Sequence, residues 1–250
     1  MARYHLEPES SLSLRDTNSP LGQQIVQEGL GLMNELGLEA FNFRKLAERV
    51  GCTEATIYHY FKNKQRLLQY YFQLYWLWLD THIDVTLRSN TGAREHMHGT
   101  IRALAGLWPE DALAAQVPPA ALRELVINEG SKSFQHKNVD SDNAKQLFKP
   151  YKDLCARVAD ELRSCAPQVN HASSFATTLV EMAHSLEFAM HHLPALTELS
   201  VHKDREELAR FLIALTERYL QDTGRTSKNT LSSGTGPSPK GGRDRRPSAQ

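Results

Sequence analysis

Apolar residues in the first third of the chain recur at helical spacing, and the polar residues between them mark where helices begin and end. Phe43, Leu46, Ala47 and Val50 share one face of a short helix, because residues three and four apart stack on the same side of a 3.6-residue turn. Asn42 precedes that run as an N-cap whose side chain accepts from orphan backbone donors. Gly51 follows it, where a helix stops most easily in the left-handed conformation. Thr53 is the N-cap of a second helix, and Ile57 and Phe61, four apart, are its buried side. Upstream, Ser19 caps a helix from Pro20 to Leu36, with Pro20 at the first helical position and Ile25, Leu32 and Leu36 as its stripe.

A long helix is expected from Asn63 to Ser89. Its centre, LLQYYFQLYWLWL, is apolar nearly all round, the signature of a helix buried on several sides. Beyond it the pattern stays helical with no alternating strand signal. Helices are expected over Arg94–Leu107, Pro119–Ser133, Asp142–Cys165, Ser173–His192 and Arg205–Gln221, separated by prolines and polar clusters. The fold class is therefore all-α: an N-terminal three-helix head followed by a larger helical body. Residues 1–18 read as a disordered polar arm, 19–65 as the head, 66–222 as the body, and 223–250 as a disordered basic tail. That tail is rich in Gly, Ser and Pro and nearly lacks apolar residues, too few to offset the entropy of folding.

The paired helices of the head match the helix-turn-helix pattern, in which the second helix lies in a DNA major groove. Only a short turn separates them, and Ala47 is small enough for a close crossing. The exposed side of the second helix offers Thr53, Glu54, Thr56, Tyr58 and His59. Arg44 and Lys45 lie on the first helix, and Lys62 and Lys64 follow the second. Hydrogen-bonding and cationic groups of these kinds suit base edges and phosphates, with Lys64 expected on a phosphate. Arg49 and Arg66 extend the local basic patch. The same pattern also fits an ordinary helical hairpin with a solvated polar face.

Residues 21–68, LGQQIVQEGLGLMNELGLEAFNFRKLAERVGCTEATIYHYFKNKQRLL, resemble the N-terminal DNA-binding domain of TetR-family transcriptional regulators. The resemblance rests on an amphipathic helix ending in ELG, then FRKLAERVG, then TEATIYHYFKNK. It covers about a fifth of the chain. Cys52 stands where an aliphatic residue is usual, and Phe41 where Thr or Ser is common. The resemblance implies a homodimer that binds a double-stranded, palindromic operator. It implies a four-helix dimer interface from Ser173–His192 and Arg205–Gln221 of each subunit, and a small-molecule pocket enclosed by the preceding helices. Leu208, Phe211, Leu212, Leu215 and Tyr219 supply the apolar stripe of the second dimer helix.

Net charge narrows the picture: 29 basic and 29 acidic residues give a formal charge of zero. That excludes a protein that coats nucleic acid and leaves room for one that reads it through a local patch. Three cysteines without metal-type spacing argue against a disulfide framework and for a reducing cytoplasm. No apolar run reaches membrane-spanning length, and the start of the chain lacks a signal-peptide core. There is no phosphate-binding glycine loop, nucleophile elbow or paired-ligand metal motif, so neither an enzyme nor a cofactor or metal is expected.

Candidate effector residues come from two places. Glu181, His184, Phe188 and His191 share a helix face in EMAHSLEFAMHH. Histidines there suit a metal or acidic ligand, a subunit interface, or a satisfied core. His184 and Phe188, with Trp78 and Trp108 as apolar walls, form the expected ligand-binding set, which favours a hydrophobic or aromatic effector. The alternative reading is a helical enzyme or small-molecule-binding protein that keeps a helix-turn-helix scaffold. The sign of regulation is expected to be repression, released by the effector.

Overall fold

A computed structural model describes residues 6–88, 92–108 and 117–232, with side chains described through Asp222. Among these residues every regular element is helical. The head comprises α1 (Pro20–Ala40), α2 (Phe43–Val50) and α3 (Glu54–Tyr58). The sequence-encoded caps close as expected. Ser19 Oγ accepts from the Gly22 amide at 3.2 Å, Asn42 Oδ1 from Lys45 at 2.9 Å, and Thr53 Oγ1 from Thr56 at 3.2 Å. Gly51 ends α2 at φ 77°, a left-handed conformation that costs glycine little. Ile57, Phe61, Leu46 and Phe43 are buried together beneath α3. Full burial of such side chains stabilises by roughly 1.5–3 kcal/mol each.

The body comprises α4 (Lys64–Thr86), α5 (Ala93–Leu104), α6 (Pro119–Glu129), α7 (Val139–Ala144), α8 (Lys149–Cys165), α9 (Ala172–His192) and α10 (Arg205–Ser232). α4 passes through the core, buried along most of its length from Leu67 to Ile83. No helix among the described residues is long and apolar enough to cross a membrane.

Several element boundaries differ from the pattern-based expectation. The expected single helix over 142–165 is two, broken where Gln146 turns to φ 59°. The expected helix to Ser133 ends as a 3₁₀ turn from Gly130. Residues 6–18 correct the expectation of a disordered arm. Leu12 is buried, the Leu14 amide donates to Tyr60 O at 2.8 Å, the Glu9 amide donates to Gln73 Oε1 at 2.6 Å, and Thr17 Oγ1 lies 3.0 Å from Tyr70 Oη. One leucine and a few hydrogen-bonding side chains suffice to dock a short polar segment against α4, a contact that composition does not reveal. At the other end the expected tail from residue 223 is corrected as far as Ser232. The backbone of α10 stays helical there, since extending a formed helix adds one hydrogen bond per residue fixed. Residues 1–5 of the arm and 233–250 of the tail lie outside the described residues, as does the expected end of the long helix at Ser89.

Head and body are joined by more than the continuous α4. Within α1, Gly37 leaves the helix at φ 71°, and the next amide, Leu38, donates to Glu129 Oε1 of α6 at 3.1 Å. Asn34 of α1 donates to Ala121 O at 3.0 Å. Gln65 of α4 donates to Lys132 O at 2.7 Å. α6 is thus tied to the head at both of its ends.

Candidate nucleic-acid interface and effector groove

α3 ends at Tyr58, so Phe61, expected on its buried side, lies just beyond it; Ile57 anchors the inner side of α3 with Phe61 buried next to it, and the opposite side faces outward. Thr53, Glu54, Tyr58, His59 and Lys62 are exposed and Thr56 is half-buried. Tyr58 is 49% exposed while its ring packs edge-on to Phe43 at 5.0 Å. Its ring therefore supports the turn and its hydroxyl end remains available. Arg44 is exposed in a loose pair with Glu48 at 3.8 Å, worth little in solvent. Lys45 reaches back to Ala40 O at 3.0 Å without being buried.

Lys64 is placed differently from the expectation that it holds a phosphate. Its Nζ donates to the carbonyls of Leu38, Glu39 and Phe41 at 2.8, 3.1 and 3.4 Å. The end of α1 leaves these acceptors without helical partners, and a cation from the start of α4 satisfies them. Arg49 is held by Glu28 at 2.7 Å and by Glu35 at 2.7 Å, and these carboxylates raise its pKa, Glu35 most. Arg66 turns to the body, pairing with Asp142 at 2.8 Å and Gln69 at 2.7 Å. The basic patch thus narrows from six side chains to Arg44, Lys45 and Lys62.

The four expected effector residues are placed in different surroundings. Trp78 is 1% exposed and stacks on His82, with Trp108 edge-on at 4.8 Å. His184 is a correction. It is buried and saturated: Nδ1 lies 2.8 Å from Val180 O and Nε2 2.9 Å from Tyr75 Oη. Burial, aided by the nearby Arg123 charge, lowers its pKa to about 3, so it is neutral near pH 7. The neutral ring donates from Nδ1 and accepts at Nε2.

That histidine ends a buried polar chain which pattern reading missed. Arg123 Nη1 donates to Tyr75 Oη at 2.7 Å, and Arg123 also pairs with Glu187 Oε2 at 2.5 Å. Arg205 pairs with Glu187 Oε1 at 2.7 Å. Arg123 lies beneath the Trp108 ring system at 5.4 Å. The sequence does carry a trace of this. Arg123 interrupts the apolar stripe of Leu122, Leu125 and Val126, and Glu187 interrupts that of Ala183 and Met190. Buried charges require partners, so two opposite charges on two apolar stripes point to each other.

Phe188, on α9, lines a groove. A groove of about 710 Å³ lies between α6, the end of α9 and the start of α10. Pro118, Ala120, Ala121, Ile127 and Phe188 supply its apolar lining. Glu187, His191, His192 and Arg205 gather on the α9–α10 side. Among the described residues no group of three His, Cys, Asp or Glu side chains is placed to hold a metal ion.

Comparison with known proteins divides along the same line between head and body. Residues 25–71 match the family model for bacterial regulatory proteins of the tetR family. The tetracycline repressor protein class C of Escherichia coli is 39% identical over 46 residues, 18% of this chain and 21% of the repressor. The match spans about a fifth of the length of the curated relatives. The fatty acid degradation regulator FadR from Bacillus halodurans superposes with a TM-score of 0.58 at 16% identity, over 80% of this chain and 95% of that one. The transcriptional regulator FadR from Bacillus subtilis in complex with stearoyl-CoA gives 0.51 at 16% identity, over 77% and 96%. At these identities the likeness is one of fold, and it includes the body.

Proposed function

From an N-terminal domain that belongs to the TetR family of bacterial regulatory proteins, we propose that this chain is a sequence-specific DNA-binding regulator. It acts as a homodimer and a repressor released by a small molecule, and it works in the cytoplasm. The supporting observation is the outward face of α3. Thr53, Glu54, Tyr58 and His59 project from a helix whose other side is anchored by Ile57 and Phe61. Thr56 and the cations Arg44, Lys45 and Lys62 flank them. Polar side chains read base edges, and the cations position the backbone.

Two copies bring two such helices to half-sites one helical turn apart. The surface proposed to join them lies on α9 and α10, where Phe211 is 46% exposed beside Leu186 and the exposed Leu196. Placing charges at Phe211 and Leu215 yields monomers that lose the operator. The effector enters the groove between α6 and α9, and its apolar lining favours a hydrophobic or aromatic body. The Bacillus subtilis neighbour holds stearoyl-CoA, which also carries an apolar chain. Coupling requires the ligand to bind one head arrangement better than another. α6 suits that role, since it lines the groove with Ala120 and Ile127 and grips α1 with Glu129.

Footprinting the full-length protein on the DNA upstream of its own gene tests the reading. A short protected inverted repeat supports it. Turnover of a small molecule with no DNA affinity supports a helical enzyme instead.

A further inference from the structure

The groove has two chemically different sides. Toward α6 its surface is apolar, with Ala120, Ala121 and Ile127, and it continues to Phe188 on α9. Toward the junction of α9 and α10 it ends at Arg205, His191 and His192. Behind that end lies the buried pair of Arg123 with Glu187, both nearly inaccessible, while 43% of the Arg205 side chain remains exposed.

The charges at this end do not balance. Two guanidiniums, Arg123 and Arg205, share the single carboxylate of Glu187. The adjacent members of the network add no negative charge. Tyr75 is a neutral phenol, since burial raises its pKa, and His184 is neutral. The remaining carboxylate of the groove, Glu124, is exposed on α6, where solvent and salt screen it. A cluster with one surplus positive charge, desolvated on its inner side, attracts an anion far more than a solvated lysine does. Arg205 is the member within reach, and a guanidinium matches a carboxylate in a two-point fork.

We propose that the groove binds an apolar monocarboxylic acid, with its carboxylate on Arg205 and its chain or ring against Ala120, Ala121, Ile127 and Phe188. Glu187 acts as an internal counter-ion that keeps Arg123 and Arg205 in place when the groove is empty. On binding, Arg205 turns its exposed edge to the ligand, and Glu187 keeps its bonds to Arg123. His191 and His192 add donors at the same end. This class deepens the reading of the groove as the effector site and rests on it.

The test is calorimetric titration of the full chain with decanoate, decanol and decanoyl-CoA, each below its aggregation threshold. Decanoate is expected to bind at least about tenfold more tightly than decanol, the difference one added charge-assisted contact supplies. In Arg205→Gln that preference disappears and the two bind alike. Arg205→Lys, which keeps the charge but loses the fork, retains part of it and guards against a folding defect in the first variant. Equal binding of decanoate and decanol to the wild type overturns the proposal. So does a preference that survives Arg205→Gln, binding of decanoyl-CoA without binding of decanoate, or no binding by any of the three. Footprinting is read separately. A chain that prefers decanoate but protects no DNA retains this site and loses the regulatory reading.

Discussion

Helices α3 and α9 both carry polar residues at regular spacing, and the structure treats them in opposite ways. α3 is five residues long and hangs its polar groups outward, because Ile57 is its buried residue and Phe61, just past its end, packs in the core with it. α9 is twenty-one residues long and is covered on more than one side, so His184 and Glu187 are drawn inward and must find partners there. Helical spacing tells which residues share a face. Whether that face meets water depends on what packs against it, and a short helix at the edge of a domain leaves less to chance.

The contrast is broken most severely at Arg123. Arg123→Ala should destabilise the fold by about 3–5 kcal/mol, the usual cost of removing one partner of a buried ion pair. It leaves Tyr75 without its donor and Glu187 half-satisfied. Urea unfolding followed by circular dichroism measures it. A loss below about 1 kcal/mol would mean the polar chain contributes nothing that water cannot replace.

Two lysines two residues apart in the head face opposite environments, Lys62 exposed and Lys64 held by carbonyls. Lys64→Ala should cost roughly 1.5–3 kcal/mol, the range for hydrogen bonds to a charged group, because three carbonyls lose their shared donor. Its effect on the salt dependence of DNA binding should be negligible. Lys62→Ala should do the reverse, leaving stability within about 0.5 kcal/mol while reducing the salt slope by about one. If the salt slope instead falls in Lys64→Ala, its ammonium leaves the carbonyls for a phosphate.

A gentler probe uses pH. His184 titrates near 6.5 when unfolded and at about 3 when folded, so between these values the unfolded chain binds the extra proton. Its contribution to stability is therefore complete above pH 6.5. It is lost as pH falls toward 3, by at most about 1.4 kcal/mol per pH unit. Comparing denaturant midpoints of wild type and His184→Gln from pH 7.5 to 4.5 isolates it. The variant should show a shallower acid decline, and parallel curves would place His184 in contact with water.

Much of the head was legible because its signals are local. Asn42, Gly51 and Thr53 each act within four residues of themselves, and the caps, the turn and the exposed face of α3 follow from them. The body was legible as helices but not as a site. Lys64 looked like its neighbour Lys62 because nothing near it in sequence marks the end of α1 lying above it. His184 and Phe188 looked equivalent because they share a helix face. Tyr75, 109 residues from His184, and Arg123 decide which of them is sealed. Residues 6–18 were misjudged for the same reason, since their partners Tyr60, Tyr70 and Gln73 lie far along the chain.

The central claim is that the outward face of α3 reads DNA sequence. In vitro selection from a random double-stranded library with the full-length protein tests it most directly. Enrichment of one short inverted repeat is expected, with half-sites about one helical turn apart. Affinity for it should be about a thousandfold or more above that for scrambled DNA, and the preference should collapse in Tyr58→Ala and His59→Ala variants that still fold. A library that emerges unenriched, or a preferred sequence that both variants bind as tightly as the wild type, would contradict it.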